Sequence, residues 1–332
     1  GHHGYGGVNC AVEPVHHHGE AIAARMSTEL RGKSLTVLMG GGSAERDISL
    51  KSGAAVADGL ELAEALVTRI DTARNGWYLD LPADTFVFNL LHGLGGEDGS
   101  VQGLLESLGV PYSGSGVLGS ALCMDKAKTK LIWRSLGLPT PPFEMVSLTS
   151  DLDDIISRLG PVFVKPVSEG SSVGMSIAHD SERLRESVIH AAKSRVPVMA
   201  ESLVRGDEYT VAVVNGRALP PIKITPASVF YDFEAKYVSG ATQFECPADL
   251  DARDTQALQT LAMDAFTTSG AEVWGRVDLM YGRDGWQLLE VNTIPGMTEH
   301  SLVPKAAAAA GLSFSDLLTE IYRGSMELRY ES

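Results

Sequence analysis

The sequence predicts an α/β protein built from more than one unit. Three observations carry the prediction: short apolar strands that run into glycine-rich turns, helical patterns that follow those turns, and a long alternating hairpin near the C-terminal end. The first strand is the apolar run at 35–39, followed by Gly40, Gly41, Gly42, Ser43, Ala44 and Glu45 and by a helix expected to begin near Ile48. These glycines do not make a dinucleotide fingerprint, because its third small position falls on Glu45, a charged residue. They let the backbone turn tightly and carry Glu45 to a strand's carboxyl end, where open α/β sheets bind ligands. An acid in the first turn of a helix is the plainer reading of the same residue.

A second apolar strand at 86–91 runs into a polar loop at 92–99, where His92 either orients a ligand or is structural. The run Pro-Tyr-Ser-Gly-Ser-Gly at 111–116 marks a junction between units. Asp125 and Lys126 then open a helix through Trp133, which Pro139, Pro141 and Pro142 are expected to end. Residues 161–164 read as a strand ending in Lys165 and Pro166, with a small, hydroxyl-rich loop at 169–174 and a further strand around 175–178. Such a loop closes over phosphates with its N–H groups or simply joins two strands. It is no Walker A loop: Gly32, Lys33 and Ser34 fail that pattern because Ser27 stands where its first glycine belongs. Residues 198–204 cross from a strand into Arg205, Gly206, Asp207 and Glu208, and the next strand follows to 214; with Glu201 just upstream, this crossing suits an adenine. The polar, aromatic stretch at 226–246 lacks periodicity, as lids and binding loops do, and Lys236 and Tyr237 are its candidate working residues.

The most informative stretch is 274–297. It reads as two alternating strands joined by Arg283, Asp284 and Gly285, with the glycine in the left-handed position that three-residue hairpin loops need. Gly282 then pairs with Trp286, Asp278 with Glu290 and Arg276 with Asn292. Directly opposite residues share a face, so the last four polar groups converge on one side, while Val277, Leu279, Leu289 and Val291 take the other. Two carboxylates and a carboxamide with no neutralising lysine between them make an all-oxygen set suited to a hard divalent cation, magnesium first. Opposed carboxylates repel unless a cation separates them, which favours this reading over a merely polar exposed face. Magnesium completes its shell with phosphates, so the set also implies a nucleotide triphosphate, whose charge Arg276 could offset.

At 332 residues and 44% hydrophobic, the chain can bury two or three cores. Its net charge of -15 excludes general affinity for nucleic acid or anionic membrane, both of which need clustered Lys and Arg. Cys10, Cys123 and Cys246 are scattered, odd in number and without metal-site spacing, which fits reduced thiols. No run reaches the about 18 apolar residues of a membrane span and no signal-peptide pattern is present, so a cytoplasmic protein is expected. Residues 1–32, glycine-rich at first and with His2, His3, His16, His17 and His18 clustered, read as a disordered or tag-like segment.

Five motifs in order give the chain a resemblance to the ATP-grasp superfamily and, closely, to the D-alanine:D-alanine ligases. They are Gly-Gly-Gly-Ser-Ala-Glu-Arg-Asp-Ile-Ser-Leu at 40–50, His-Gly-Leu-Gly-Gly-Glu-Asp-Gly at 92–99, Glu-Gly-Ser-Ser-Val-Gly at 169–174, Tyr-Asp-Phe-Glu-Ala-Lys-Tyr at 231–237 and the block 276–301. The resemblance spans about 33–328. It implies an α/β (α+β) three-domain ATP-grasp architecture: an N-terminal open α/β domain at 33–114, a central subdomain at 115–200 and a C-terminal subdomain at 201–332 with a lid loop at 226–246, ATP lying between the last two. The reaction it implies joins two D-alanine molecules through an acyl phosphate. The cofactors are ATP and two magnesium ions, for which manganese could stand in, and the assembly is a homodimer.

By the same resemblance Asp278, Glu290 and Asn292 hold the magnesium ions, and Lys126, Lys165 and Lys236 contact phosphates. Arg276 and the Gly296 N–H serve the oxyanion. Glu45 binds the ammonium of the first D-alanine with His92 nearby, and Ser171 and Tyr237 link Glu45 to the lid. Ser301 and the Leu302 backbone hold the carboxylate of the second D-alanine, and Glu201 and Glu208 contact adenine and ribose. Tyr237 stands where D-lactate-using relatives commonly carry histidine, which favours an amine acceptor. Ser202 departs from the lysine many members carry after the hinge glutamate.

Overall fold

The computed structural model describes residues 28–168, 174–226 and 242–330. The apolar run at 35–39 is β1 (Ser34–Met39), and its burial beyond Ser34 fits a strand covered on both faces. It lies between β2 (Leu66–Asp71) and β3 (Phe86–Asn89) in a parallel sheet of order β2-β1-β3. The crossover is α1 (Arg46–Leu62), which starts at Arg46 and not near Ile48. The short α2 (Ser100–Ser107) follows the loop after β3. The turn before β1, expected to belong to a disordered or tag-like segment, joins the fold from residue 28 onward: Leu30 is buried and Glu29 pairs with Arg323.

Next come α3 (Val117–Met124) and α4 (Lys126–Ser135). Asp125 caps α4, accepting the Lys128 N–H at 2.9 Å. The helix stops at Ser135, two residues before Gly137 at φ 73, so a left-handed glycine ends it and not the prolines that follow. An antiparallel sheet of order β4-β7-β5-β6 then forms from β4 (Phe143–Val146), β5 (Val162–Pro166), β6 (Ser176–Ala178) and β7 (Val198–Ser202). Helices α5 (Leu152–Leu159) and α6 (Ser181–Ala191) pack their apolar residues on it.

The third sheet runs β11-β10-β8-β12-β13, with β9 (Arg217–Ala218) paired to β8. Its strands are β8 (Gly206–Val214), β10 (Ile222–Thr225), β11 (Gln243–Glu245), β12 (Trp274–Gly282) and β13 (Gly285–Asn292). The aperiodic stretch at 226–246 therefore closes on a strand, and its residues 227–241 lie outside those described. Helix α7 (Ala252–Thr268) covers one face. The chain ends in α8 (Leu302–Ala309) and α9 (Phe314–Arg329), and α9 returns to the first unit. A Cβ on Gly59 would come within 2.8 Å of the Phe314 ring, so glycine there lets α1 and α9 approach. One core thus joins both ends of the chain: Val56, Ala57 and Leu60 meet Leu317, Leu318 and Ile321. Among the described residues no helix is long and apolar enough to cross a membrane.

Candidate active site

The hairpin of β12 and β13 places the polar set. Arg276 faces Asn292 and Asp278 faces Glu290, as the alternation predicts. The route to that register differs from the expected one. The turn has two residues, Arg283 and Asp284, so Gly282 pairs with Gly285 and Trp286 with Tyr281. A bulge then adds one residue on β13: Leu279 faces Leu288, while Asp278 faces Glu290. The shorter turn and the extra residue cancel at the site. The bulge also corrects the expected facing of Leu289: Leu288 enters the core and Leu289 lines the pocket.

The carboxylates are not without neighbouring cations, contrary to the sequence expectation. Arg276 forks onto Asp278, Nε to Oδ1 at 2.8 Å and Nη2 to Oδ2 at 2.9 Å, and the Thr210 hydroxyl donates to Oδ1 at 2.8 Å. Lys126, buried at the start of α4, brings Nζ to 3.4 Å from Glu290 Oε2. Arg276 is the cation that alternation already puts on this face; Lys126 reaches it from a helix far away in sequence, a contact that spacing does not encode. The Asn292 side-chain oxygen accepts the Ile294 N–H at 3.0 Å. Among the described residues no group of three or more His, Cys, Asp or Glu is arranged for a metal, so a metal here depends on the amide as well as the two acids. Hard oxygen donors of this kind fit magnesium that also takes phosphate and water ligands.

A cavity of about 650 Å³ adjoins this set, lined by Lys165, Glu201, Leu203, Glu208, Met280 and Leu289 among others. Its polar end holds a buried chain of charges. Lys165 donates to Glu201 Oε1 at 2.9 Å, and Lys130 lies 2.6 Å from Oε2. Burial opposes ionisation of Glu201, yet the two lysines outweigh it and hold its pKa below the ordinary value. Glu201, expected against adenine, is thus engaged by lysines in this structure. Glu208, half-buried at the head of β8, lines the same cavity. Ser202 donates its hydroxyl to the Leu159 carbonyl at the end of α5, at 2.9 Å.

Across from the hairpin stands the loop of the first unit. Glu45 occupies the cap position of α1 without a side-chain cap bond. Its carboxylate instead approaches Gly93, where an added Cβ would sit 2.7 Å from Oε2; Gly93, at φ 75, has two reasons to be glycine. Ser43 ties the two loops by donating to the His92 carbonyl at 2.7 Å. His92 is buried, and its ring bonds the backbone of Ile294, just past β13. Its Nε2 has no partner among the described residues. Burial first, then the nearby Arg276 charge, pull its pKa down to about 4, so the ring is neutral at pH 7.

Sequence reasoning passed over Glu97, although it lies in a quoted motif. It is buried and accepts the Gly93 N–H at 2.6 Å. Burial, followed by the charges of Glu45 and Glu290, pushes its pKa up to about 8 from 4.5. An acid whose native pKa is raised binds more protons folded than unfolded, so its contribution to stability is lost as pH rises through that interval. Glu97→Gln keeps the acceptor for Gly93 and should flatten the melting temperature between about pH 5 and 8 relative to the wild type. Parallel pH profiles in thermal unfolding would refute this.

Gly296 and Ser301 lie together: a Cβ on Gly296 would be 3.0 Å from Ser301 Oγ. Ser301 caps α8 in position and accepts the Thr298 N–H at 2.9 Å, with Leu302 the first residue of the helix. Ser52 of α1 accepts the Met297 N–H at 3.0 Å and fastens this loop to the first unit. The structure therefore brings the polar groups of the site within electrostatic reach of one another: Glu97 feels Glu45, Glu290 and Lys126, His92 feels Arg276, and Arg276 pairs with Asp278. Ser171, Lys236 and Tyr237 lie outside the described residues.

Family models and known proteins match most of the chain. Residues 132–323 match the family model for the D-ala D-ala ligase C-terminus, and 80–115 match that for the N-terminus. A D-alanine–D-alanine ligase from Alcanivorax borkumensis is 50% identical over 314 residues, 92% of this chain and 97% of the relative. Among solved structures, a Bacillus anthracis D-alanine–D-alanine ligase complexed with ATP is 35% identical with a TM-score of 0.80, covering 91% of this chain and 99% of that one. A D-Ala:D-Ser ligase from Enterococcus faecalis is 27% identical with a TM-score of 0.78, covering 89% and 100%.

Proposed function

The chain belongs to the D-alanine–D-alanine ligase family, and from that premise we infer how its site makes the dipeptide. The enzyme joins two D-alanine molecules at the expense of ATP to give D-alanyl-D-alanine for peptidoglycan precursors. The carboxylate oxygen of the first D-alanine attacks the γ-phosphorus, and ADP leaves. The amine of the second then attacks the acyl phosphate carbon, loses a proton, and inorganic phosphate departs. The observation that carries the residue assignment is that Asp278 and Glu290 line a cavity of about 650 Å³, with Arg276 forked onto Asp278 and Lys126 3.4 Å from Glu290 behind them. Phosphoryl transfer asks the protein mainly for position and neutralised charge, which such a cluster supplies.

Asp278, Glu290 and Asn292 would hold magnesium. When bound, the metal would neutralise phosphate charge. Every other contribution comes from side chains. Lys126 and Lys165 contact phosphate once it enters. Glu45 holds the ammonium of the first D-alanine, and neutral His92 offers an acceptor beside it. Arg276 with the Gly296 N–H stabilises the tetrahedral oxyanion. Ser301 and the Leu302 N–H receive the second carboxylate. Glu208 faces the nucleoside. Lys236, Ser171 and Tyr237, which lie outside the described residues, complete the set in this reading. The units 33–114, 115–200 and 201–332, a homodimeric assembly and a cytoplasmic location are part of the same reading.

Phosphate release with Mg-ATP tests it, with D-alanine alone, D-alanine plus D-serine, D-alanine plus D-lactate, or L-alanine, and products identified by mass. Dipeptide from D-alanine alone is expected. Turnover only with a mixed acceptor would move the enzyme to the D-serine or D-lactate users and remove Tyr237 as a marker of acceptor choice.

A further inference from the structure

One member of the buried charge chain has no part in the ligation described above. Lys130 is fully buried on α4, one helical turn beyond Lys126. Its Nζ lies 2.6 Å from Glu201 Oε2, donates to the Thr140 hydroxyl, and stands 5.6 Å from the centre of the Phe143 ring. Thr140 is itself fixed, donating to the Leu288 carbonyl at 2.8 Å. Lys165 takes the other Glu201 oxygen. Lys165 and Glu201 line the cavity and Lys130 does not.

Two ammonium groups on one buried carboxylate are not equivalent here. Lys130 is held behind the wall by fixed neighbours, whereas Lys165 faces the space a nucleotide would fill. A buried carboxylate must keep a counter-ion, because an unpaired charge in the interior is costly. With Lys130 in place, Glu201 remains neutralised if Lys165 departs. Without it, Glu201 would retain Lys165, and phosphate would have to compete for that lysine.

We propose that Lys130 is a positioning residue for phosphate binding: it neutralises Glu201 from behind the cavity wall and so releases Lys165 to the phosphates of the nucleotide. The inference rests on the assignment of this cavity to ATP. Burial draws the Lys130 pKa down to about 8 against the attraction of Glu201, which leaves the side chain mostly charged at neutral pH.

The test uses calorimetric titration of the full-length protein at pH 7 with adenosine and, separately, with ADP plus magnesium. Lys130→Met should weaken ADP at least tenfold and leave adenosine affinity unchanged, since adenosine has no phosphate for Lys165 to meet. Lys130→Arg, which keeps the charge, should retain the wild-type preference for ADP. If the methionine variant does not fold, Lys130→Gln gives the same readout while keeping a polar end for Thr140. Equal losses for adenosine and ADP would make Lys130 a mere support of the wall, and an undiminished ADP affinity would show Lys165 indifferent to it; either overturns the proposal. A wild-type protein that binds no ADP would overturn the cavity assignment itself, a failure separable from the other two.

Discussion

Glu290→Ala is expected to reduce magnesium-dependent ligation by about a thousandfold or more, since a metal contributes several kcal/mol of charge stabilisation and each 1.36 kcal/mol is a decade in rate. The protein should stay folded. Glu290 is half-buried on the last strand of its sheet, and its removal relieves repulsion felt by Glu97. Asp278→Ala should abolish turnover too, but it is the less clean experiment, because it also strips Arg276 of its bidentate partner and Thr210 of an acceptor. The decisive measurement is phosphate release across a magnesium series, with circular dichroism as the fold control. A Glu290→Ala enzyme at full rate would sink the metal assignment.

The pairing of acids and cations explains why that measurement should also show strong coupling between metal and nucleotide. Among the described residues, the cations assigned to phosphate or to the oxyanion each sit against an acid: Lys126 near Glu290, Lys165 on Glu201 and Arg276 on Asp278. Phosphate entering alone must draw cations from carboxylates that would be left repelling one another. Metal entering alone must displace those cations into a space without anions. Together the two satisfy both sets, so each is expected to raise the other's affinity reciprocally.

Much of this was legible in the chain because strand alternation is local. Arg276, Asp278, Glu290 and Asn292 share a face through period and pairing, and a turn misjudged by one residue did not disturb them only because the bulge at Leu289 restored the register. That bulge has no strong sequence signature, and so Leu288 and Leu289 could not be told apart. Lys126 was read as a phosphate ligand through family resemblance, but its approach to Glu290 is a contact between distant segments that spacing does not encode. Glu97 and Lys130 were missed for a different reason. Each is a charged residue in a motif or helix where solvent exposure is the default, and only three-dimensional burial reveals that it is held among other charges. The return of α9 to the first unit was equally invisible, since an amphipathic helix does not announce which core its apolar stripe joins.

Arg276→Met should lower kcat by about 10²–10³, the usual cost of removing one oxyanion donor, with a smaller effect on the KM for ATP. The argument turns on what Arg276 does before and during reaction. Its fork is engaged by Asp278, and it lies close enough to His92 to depress that ring's pKa. Were Asp278 engaged in holding magnesium, the guanidinium would be released to the oxygen that becomes negative as the second amine attacks. That interaction strengthens only in the transition state, so its loss belongs in kcat. Arg276→Lys should recover a part of the rate and no more, because an ammonium supplies charge without the planar fork. A variant that raised the KM for ATP and left kcat intact would assign Arg276 to ground-state phosphate binding and remove it from the oxyanion site. The His92 ring offers an independent readout: without the guanidinium its pKa should rise from about 4, visible by NMR even in an enzyme too slow to assay.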